Sequence, residues 1–209
     1  DVVKNKDDIE KIYNLFRKRR IDILIGTQLI MKEIEFPNVT LIGVISIDNN
    51  LNIIDFRSAE KTFSLLSKLY FKTSAGKKEM IIQTYNPDHY SIKNLKNFNH
   101  KQFYETELSF RRQFKYPPFT HLINIILQDK DKVRIENNSA KIVSELESVS
   151  SDEILGPVPS IIFFKRQHFR YQILIKTNNL LFWQKNLRNL YNKFPKIKIT
   201  IDVDPIKMF

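Results

Sequence analysis

Lys165-Arg-Gln-His-Phe-Arg-Tyr171 sets four potential cations around two aromatics, and that mixture suits a nucleic acid. Lys165, Arg166 and Arg170 can hold phosphates while Phe169 or Tyr171 stacks on an exposed base. Alternation along a strand cannot put both aromatics and Arg170 on one face, so either the aromatics face outward for bases or Arg170 does with His168. The structural alternative is a solvated hairpin whose aromatics enter the core. Arg111, Arg112 and Lys115 form a second basic group just before Tyr116-Pro-Pro-Phe119. They can contact DNA, or simply complement the negative end of a helix.

Asp22-Ile-Leu-Ile-Gly-Thr-Gln28 places a small residue, a hydroxyl and an amide after an apolar run, the position at which open α/β sheets bind ligands. The backbone amides and Thr27 hydroxyl there can meet a phosphate, or serve an ordinary strand-to-helix turn. No G-x-x-x-x-G-K-[ST] loop exists, since Gly76-Lys77-Lys78-Glu79 lacks the first glycine and the hydroxyl. Asp202 and Asp204 share a strand face, which allows capping and ion pairing more readily than a metal. His89, His100, His121 and His168 are scattered without ligand spacing, and no Ser/His/Asp constellation emerges.

The 209 residues, 42% of them hydrophobic, are enough for one large domain or two small ones. Cysteine is absent, which excludes disulfides and cysteine-held zinc. Neither a membrane-spanning apolar run nor a signal peptide is visible, so the chain is expected to be soluble and cytoplasmic, with no membrane partner. Asp1 is not an initiator methionine, and the chain is expected to be a fragment. The net charge of +11 is uneven: residues 1–88 carry 14 Lys and Arg against 12 Asp and Glu, whereas 89–209 carry 20 against 11. Counterion release from a polyanion therefore favours the second part as a nucleic-acid surface, and a generally Lys-rich composition is the alternative.

These groups need elements to position them. Ile9, Ile12, Tyr13 and Phe16 at helical spacing predict a helix over Asp7–Arg20. Asp22–Gly26, Val39–Ile47 and Met80–Tyr85 read as buried parallel strands, with a helix at Ser58–Phe71. Asn86-Pro-Asp88 is a turn and boundary. His89–Phe114 reads as one broken or two short helices, weakened at Asn97–Asn99 and stopped by Pro117-Pro118. Beyond it the pattern is strand Phe119–Gln128, helix Lys132–Ser148, strands Leu155–Phe164 and Phe169–Lys176, helix Asn179–Lys193 and strand Lys196–Val203. This βαββαβ order predicts a split-βαβ, ferredoxin-like domain, with Trp183 in its core.

Taken in order, the runs DILIGTQLIMKEIEFPNVTLIGVISID, DFRSAEKTFSLL and IIQTYNPDHY resemble the second motor lobe of the primosomal replication-restart DNA helicases of superfamily 2. RRQFKYPPF, ILGPVPS, KRQHFRYQILIK and the terminal IDVDP resemble that family's C-terminal domain. The resemblance implies an α/β fold in three parts: the end of a RecA-like lobe over 1–88, a helical linker over 89–118 and a DNA-binding domain over 119–209. It implies that Gly26, Thr27 and Gln28 are motor motif residues, with Asp48 among the acidic elements that follow. Departures accompany the matches: Lys32-Glu33-Ile34-Glu35 stands where the family has a glycine, Ser46 replaces an acid, and Lys72 and Ala75 occupy two arginine positions. Family glycines at the hairpin turn appear as Gln167 and His168. A lysine offers a point charge where an arginine finger offers a planar fork.

The resemblance further implies ATP-driven 3′-to-5′ unwinding in the whole enzyme. ATP and Mg2+ would be bound only together with a first motor lobe, which with the family's zinc-binding cysteines would precede Asp1. Branched and single-stranded DNA, single-stranded-DNA-binding protein and primosome proteins are the implied partners. Two other readings stay open from the sequence. One is a non-catalytic nucleic-acid-binding module with a degenerate motor lobe as scaffold, and the other an RNA-binding protein using surface aromatics on a split-βαβ sheet.

Overall fold

The computed structural model describes residues 6–28, 36, 38–73 and 76–208. Two compact units are present, one comprising Asp1–Ile53 and Arg57–Thr106, the other Ile54–Phe56 and Glu107–Phe209.

In the first unit the aromatic stripe of the sequence forms helix α1 (Lys6–Arg17). Tyr13 and Phe16 meet the buried ring of Phe36 edge-on at 6.2 and 5.9 Å. The strand expected at Asp22–Gly26 is not formed: the segment has no ladder partner among the described residues, and Ile23 and Ile25 are 76% and 88% exposed. A parallel strand needs a ladder partner and a layer on each face. Among the described residues this unit pairs just two strands, β1 (Leu41–Val44) and β2 (Glu79–Ile82), parallel from Leu41↔Glu79 to Val44↔Ile82. Helix α2 (Asp48–Leu51), too short to leave a periodic signature, follows β1. Helix α3 (Ser58–Phe71) buries Ala59, Phe63 and Leu66. Helices α4 (Tyr90–Lys93) and α5 (His100–Gln113) divide the expected broken helix. Their division has a cause in the asparagines: Asn99 Oδ1 accepts from the Gln102 amide at 3.0 Å and so caps α5. Phe103 on α5 stacks on Phe63 at 4.1 Å, closing a core with Ile47, Leu66, Ile92 and Leu95.

The second unit follows the order β3 (His121–Asp129), α6 (Lys132–Val149), β4 (Glu153–Lys165), β5 (His168–Thr177), α7 (Leu180–Lys193), β6 (Lys198–Val203). The strands lie β4-β5-β3-β6, antiparallel at every pairing. Each helix thus links two like-directed strands with another strand between them. Asp131 and Asn179 cap α6 and α7, accepting from the amides of Arg134 and Phe182 at 3.0 Å each. Alternation on β3 and β5 sends Ile123, Ile125, Leu127, Tyr171, Ile173 and Ile175 into one core with Ile142, Leu146, Trp183 and Leu187 from the helices. Trp183 is fully buried, and its indole N–H donates to Asp152 Oδ2 at 2.6 Å. The opposite face is covered as well. Gln172 Nε2 donates to Asn124 Oδ1 at 2.8 Å and to the Met208 carbonyl at 3.1 Å, so the residues after β6 return across the sheet.

Candidate nucleic-acid interface

Strands β4 and β5 form a hairpin closed by Lys165↔His168, with Arg166 and Gln167 at its tip. Both tip residues have positive φ, 52° and 61°, the geometry of the tight turn whose twist matches paired strands and which ordinarily selects Asn or Gly. Lys165 and Arg166 are exposed, and their side chains make no hydrogen bond or ion pair among the described residues. Arg170 is half-buried, and its Nε has no hydrogen-bond partner among the described residues. The two aromatics expected to stack on bases are placed otherwise. Tyr171 is 8% exposed and donates to Glu136 Oε1 at 2.9 Å, and burial together with that bond pushes the phenol's pKa up. Phe169 is half-buried against Phe163, at 5.5 Å, and against the core. Strand alternation, which sends Tyr171 toward the helices with Ile173 and Ile175, decides this. The most exposed aromatic of the hairpin is Phe164, 56% exposed, its ring tilted against Phe169 at 4.9 Å, an outcome sequence spacing alone does not signal.

Arg111, Arg112 and Lys115 separate in the same way. Arg111 is engaged by packing: it forms an ion pair with Glu107 at 2.7 Å and lies 5.0 Å from the Phe56 ring. Phe56 in turn stacks on Tyr116 at 4.9 Å. Arg112 is exposed over Phe119 at 4.7 Å, and Lys115 is 63% exposed, 3.6 Å from Glu153. Neither residue type nor spacing singles out Lys176. This buried amine donates to Glu153 Oε1 at 2.8 Å and to the Phe114 carbonyl at 2.9 Å, and lies 4.5 Å from the Tyr116 ring. The bond from Lys176 holds the Glu153 carboxyl below the usual carboxylate range against the opposing effect of burial.

Gly26, Thr27 and Gln28 lie exposed in the segment after α1, outside any strand. Asp48 is buried at the end of the loop after β1, where it accepts from the Thr84 hydroxyl at 2.9 Å and the Tyr85 amide at 3.2 Å. Burial raises its pKa, but these bonds and one from Asn86 outweigh that and leave it lowered. Lys72 is half-buried at the C-cap of α3, whereas Ala75 and residues 29–35, including Lys32–Glu35, lie outside the described residues. Lys78, weighed above as part of a phosphate loop, instead caps α3: its amine donates to the carbonyls of Tyr70, at 2.8 Å, and Thr73.

Asp204 accepts from the Leu122 amide at 3.0 Å and stands 2.7 Å from His121 Nδ1. Among the described residues no three His, Asp or Glu side chains gather as metal ligands. No helix among them is long and apolar enough to cross a membrane.

A mixed α/β chain ending in a basic, βαββαβ unit defines a class in which nucleic acid is the expected ligand. Its family lies in DNA replication: residues 112–206 match the model described as the primosomal protein N C-terminal domain. The whole chain is 35% identical to the replication restart protein PriA of Bacillus subtilis, covering all of this chain and 27% of that protein. It is 32% identical to PriA of Borreliella burgdorferi, over 99% of this chain and 33% of the relative. With PriA of Chlamydia pneumoniae it shares 33% identity over 100% of this chain and 29% of the relative. The chain therefore matches the C-terminal portion of replication restart proteins and spans about a quarter to a third of their length.

Proposed function

We propose that this chain serves as the C-terminal part of an ATP-dependent 3′-to-5′ DNA helicase that recognises branched DNA and restarts stalled replication forks. In this reading residues 1–88 end a RecA-like motor lobe, 89–118 are a helical linker, and 119–209 are a ferredoxin-like DNA-binding domain. Gly26, Thr27, Gln28 and Asp48 belong to the motor's coupling elements. ATP and Mg2+ are bound only with a first motor lobe, and single-stranded-DNA-binding protein and primosome components are partners of the assembled enzyme. The observation that carries the reading is the similarity to replication restart proteins over the whole or nearly the whole chain. The exposed Lys165, Arg166, Arg112 and Lys115 supply cations for DNA phosphates, and the charge excess of the second part agrees.

The test uses the 209-residue chain. It is expected to bind forked DNA with an affinity that falls linearly with salt on a log–log plot, reflecting several released counterions. It is also expected to show no DNA-stimulated ATPase, because it has no phosphate-binding loop and carries Lys72 at an arginine position. Absence of fork binding at low salt would remove the DNA reading, and robust ATP turnover would remove the assignment of nucleotide binding to a first lobe.

A further inference from the structure

We infer that the tip of the β4–β5 hairpin is a stacking site for single-stranded DNA, with Phe164 as the platform for one base and Lys165 and Arg166 holding the flanking phosphates. The inference rests on the DNA-binding reading above and names the element of DNA that this hairpin takes.

Three observations carry it. First, an aromatic ring that is 56% exposed directly precedes two exposed cations whose side chains have no partner among the described residues. A ring set beside unpaired cations is the composition that tracks a single strand, since every base has a π-face and every nucleotide a phosphate. Second, the β4–β5 ladder opens just behind the tip. Pro159 pairs with Tyr171 and Phe164 with Phe169, so residues 160–163 stand opposite Arg170 alone. Such a bulge re-aims the residues that follow it. Within it, the Ser160 hydroxyl and Arg170 Nε are buried and have no hydrogen-bond partner among the described residues. Third, between Glu153 and Asp202 the sequence has nine Lys and Arg and no Asp or Glu, so the hairpin sits in a stretch without local negative charge. Charge complementarity selects a polyanion over an apolar protein surface. The exposed ring selects an unstacked base, because in a duplex both faces of each base are already occupied.

The experiment measures binding of the whole chain to a single-stranded oligonucleotide, to duplex DNA and to the same sequence as RNA, each across a salt series. Phe164→Ala and Phe164→Leu are each expected to lower single-strand affinity by roughly tenfold with the salt slope and duplex affinity unchanged, whereas Phe164→Trp keeps wild-type affinity. Lys165→Ala and Arg166→Ala should each make the slope shallower by about one unit. Phe164→Leu guards against a merely structural role, since it preserves apolar cover while removing the stack. Wild-type affinity in both Phe164→Ala and Phe164→Leu, with the basic variants weakened, would make the hairpin a phosphate clamp and overturn the stacking site while leaving the DNA reading intact. Loss of duplex and single-strand binding alike in Phe164→Leu, or tighter binding of RNA than DNA, overturns it too. A wild-type chain that binds no DNA in any form overturns both readings.

Discussion

Tyr171 and Phe164 are close along one hairpin, yet their environments assign them opposite work. Tyr171 is inside the second unit's core, so Tyr171→Ala should cost about 3–5 kcal/mol of stability, while Tyr171→Phe, which loses only the bond to Glu136, should cost about 1 kcal/mol. Thermal melting of the two variants beside wild type measures this; a Tyr171→Ala protein as stable as wild type would return that ring to the list of base-stacking residues. Arg111 divides from its neighbours by the same logic. Its guanidinium is committed to Glu107 and the Phe56 ring, so an Arg111→Ala protein should melt lower, whereas Arg112→Ala should melt within about 0.5 kcal/mol of wild type. Residue types and spacing therefore brought these cations into view but not their burial. Strand parity placed Phe169, Arg170 and Tyr171 on alternating faces, and only the covering helices settle which face is wet.

At the scale of elements, the sequence was most legible where periodicity runs long. Helices α3, α6 and α7 and strands β3 to β6 fall within a few residues of their expected bounds, because each presents an apolar stripe or alternation to the core of its own unit. It was least legible at Asp22–Gly26, whose Ile-Leu-Ile run has the composition of a parallel strand and no ladder partner among the described residues. Strand propensity is a property of composition, whereas a strand is a property of its neighbours.

The connections between elements are held by carboxylates, and this makes the fold acid-sensitive in a defined direction. Asp129, through its bonds from Arg134, and Glu153, through Lys176, both have pKa values lowered in the folded chain, as does Asp48. A lowered folded pKa means the unfolded chain takes up protons first. The stability these groups contribute is thus complete above the unfolded values of about 4 and is lost as pH falls through the lower folded ones. Denaturant titrations from pH 6 downward should show a midpoint that is flat to about pH 5 and then declines. In Glu153→Gln the decline should be shallower, starting from a lower plateau because the buried Lys176 amine has lost its counter-charge. A Glu153→Gln curve parallel to wild type would deny Glu153 any part in the acid response.

At the scale of the whole molecule, the second unit does not begin where the chain enters it for good. It includes Ile54–Phe56, some fifty residues upstream of Glu107, and through Phe56 it gains a ring stacked on Tyr116 and facing Arg111. No single cut can therefore dissect this protein cleanly. A polypeptide starting at Glu107 carries every strand and both long helices of the βαββαβ order but arrives with Arg111 and Tyr116 stripped of their shared aromatic partner. Such a piece should fold yet melt below the same unit in the intact chain, and Phe56→Ala in the intact chain should reproduce most of that deficit. Equal melting of the piece and the intact unit would show the upstream tripeptide to be dispensable. If the deficit is found, domain swaps and deletion series that respect only linear boundaries will misreport this unit, assigning to lost DNA contacts what is in fact a missing phenyl ring.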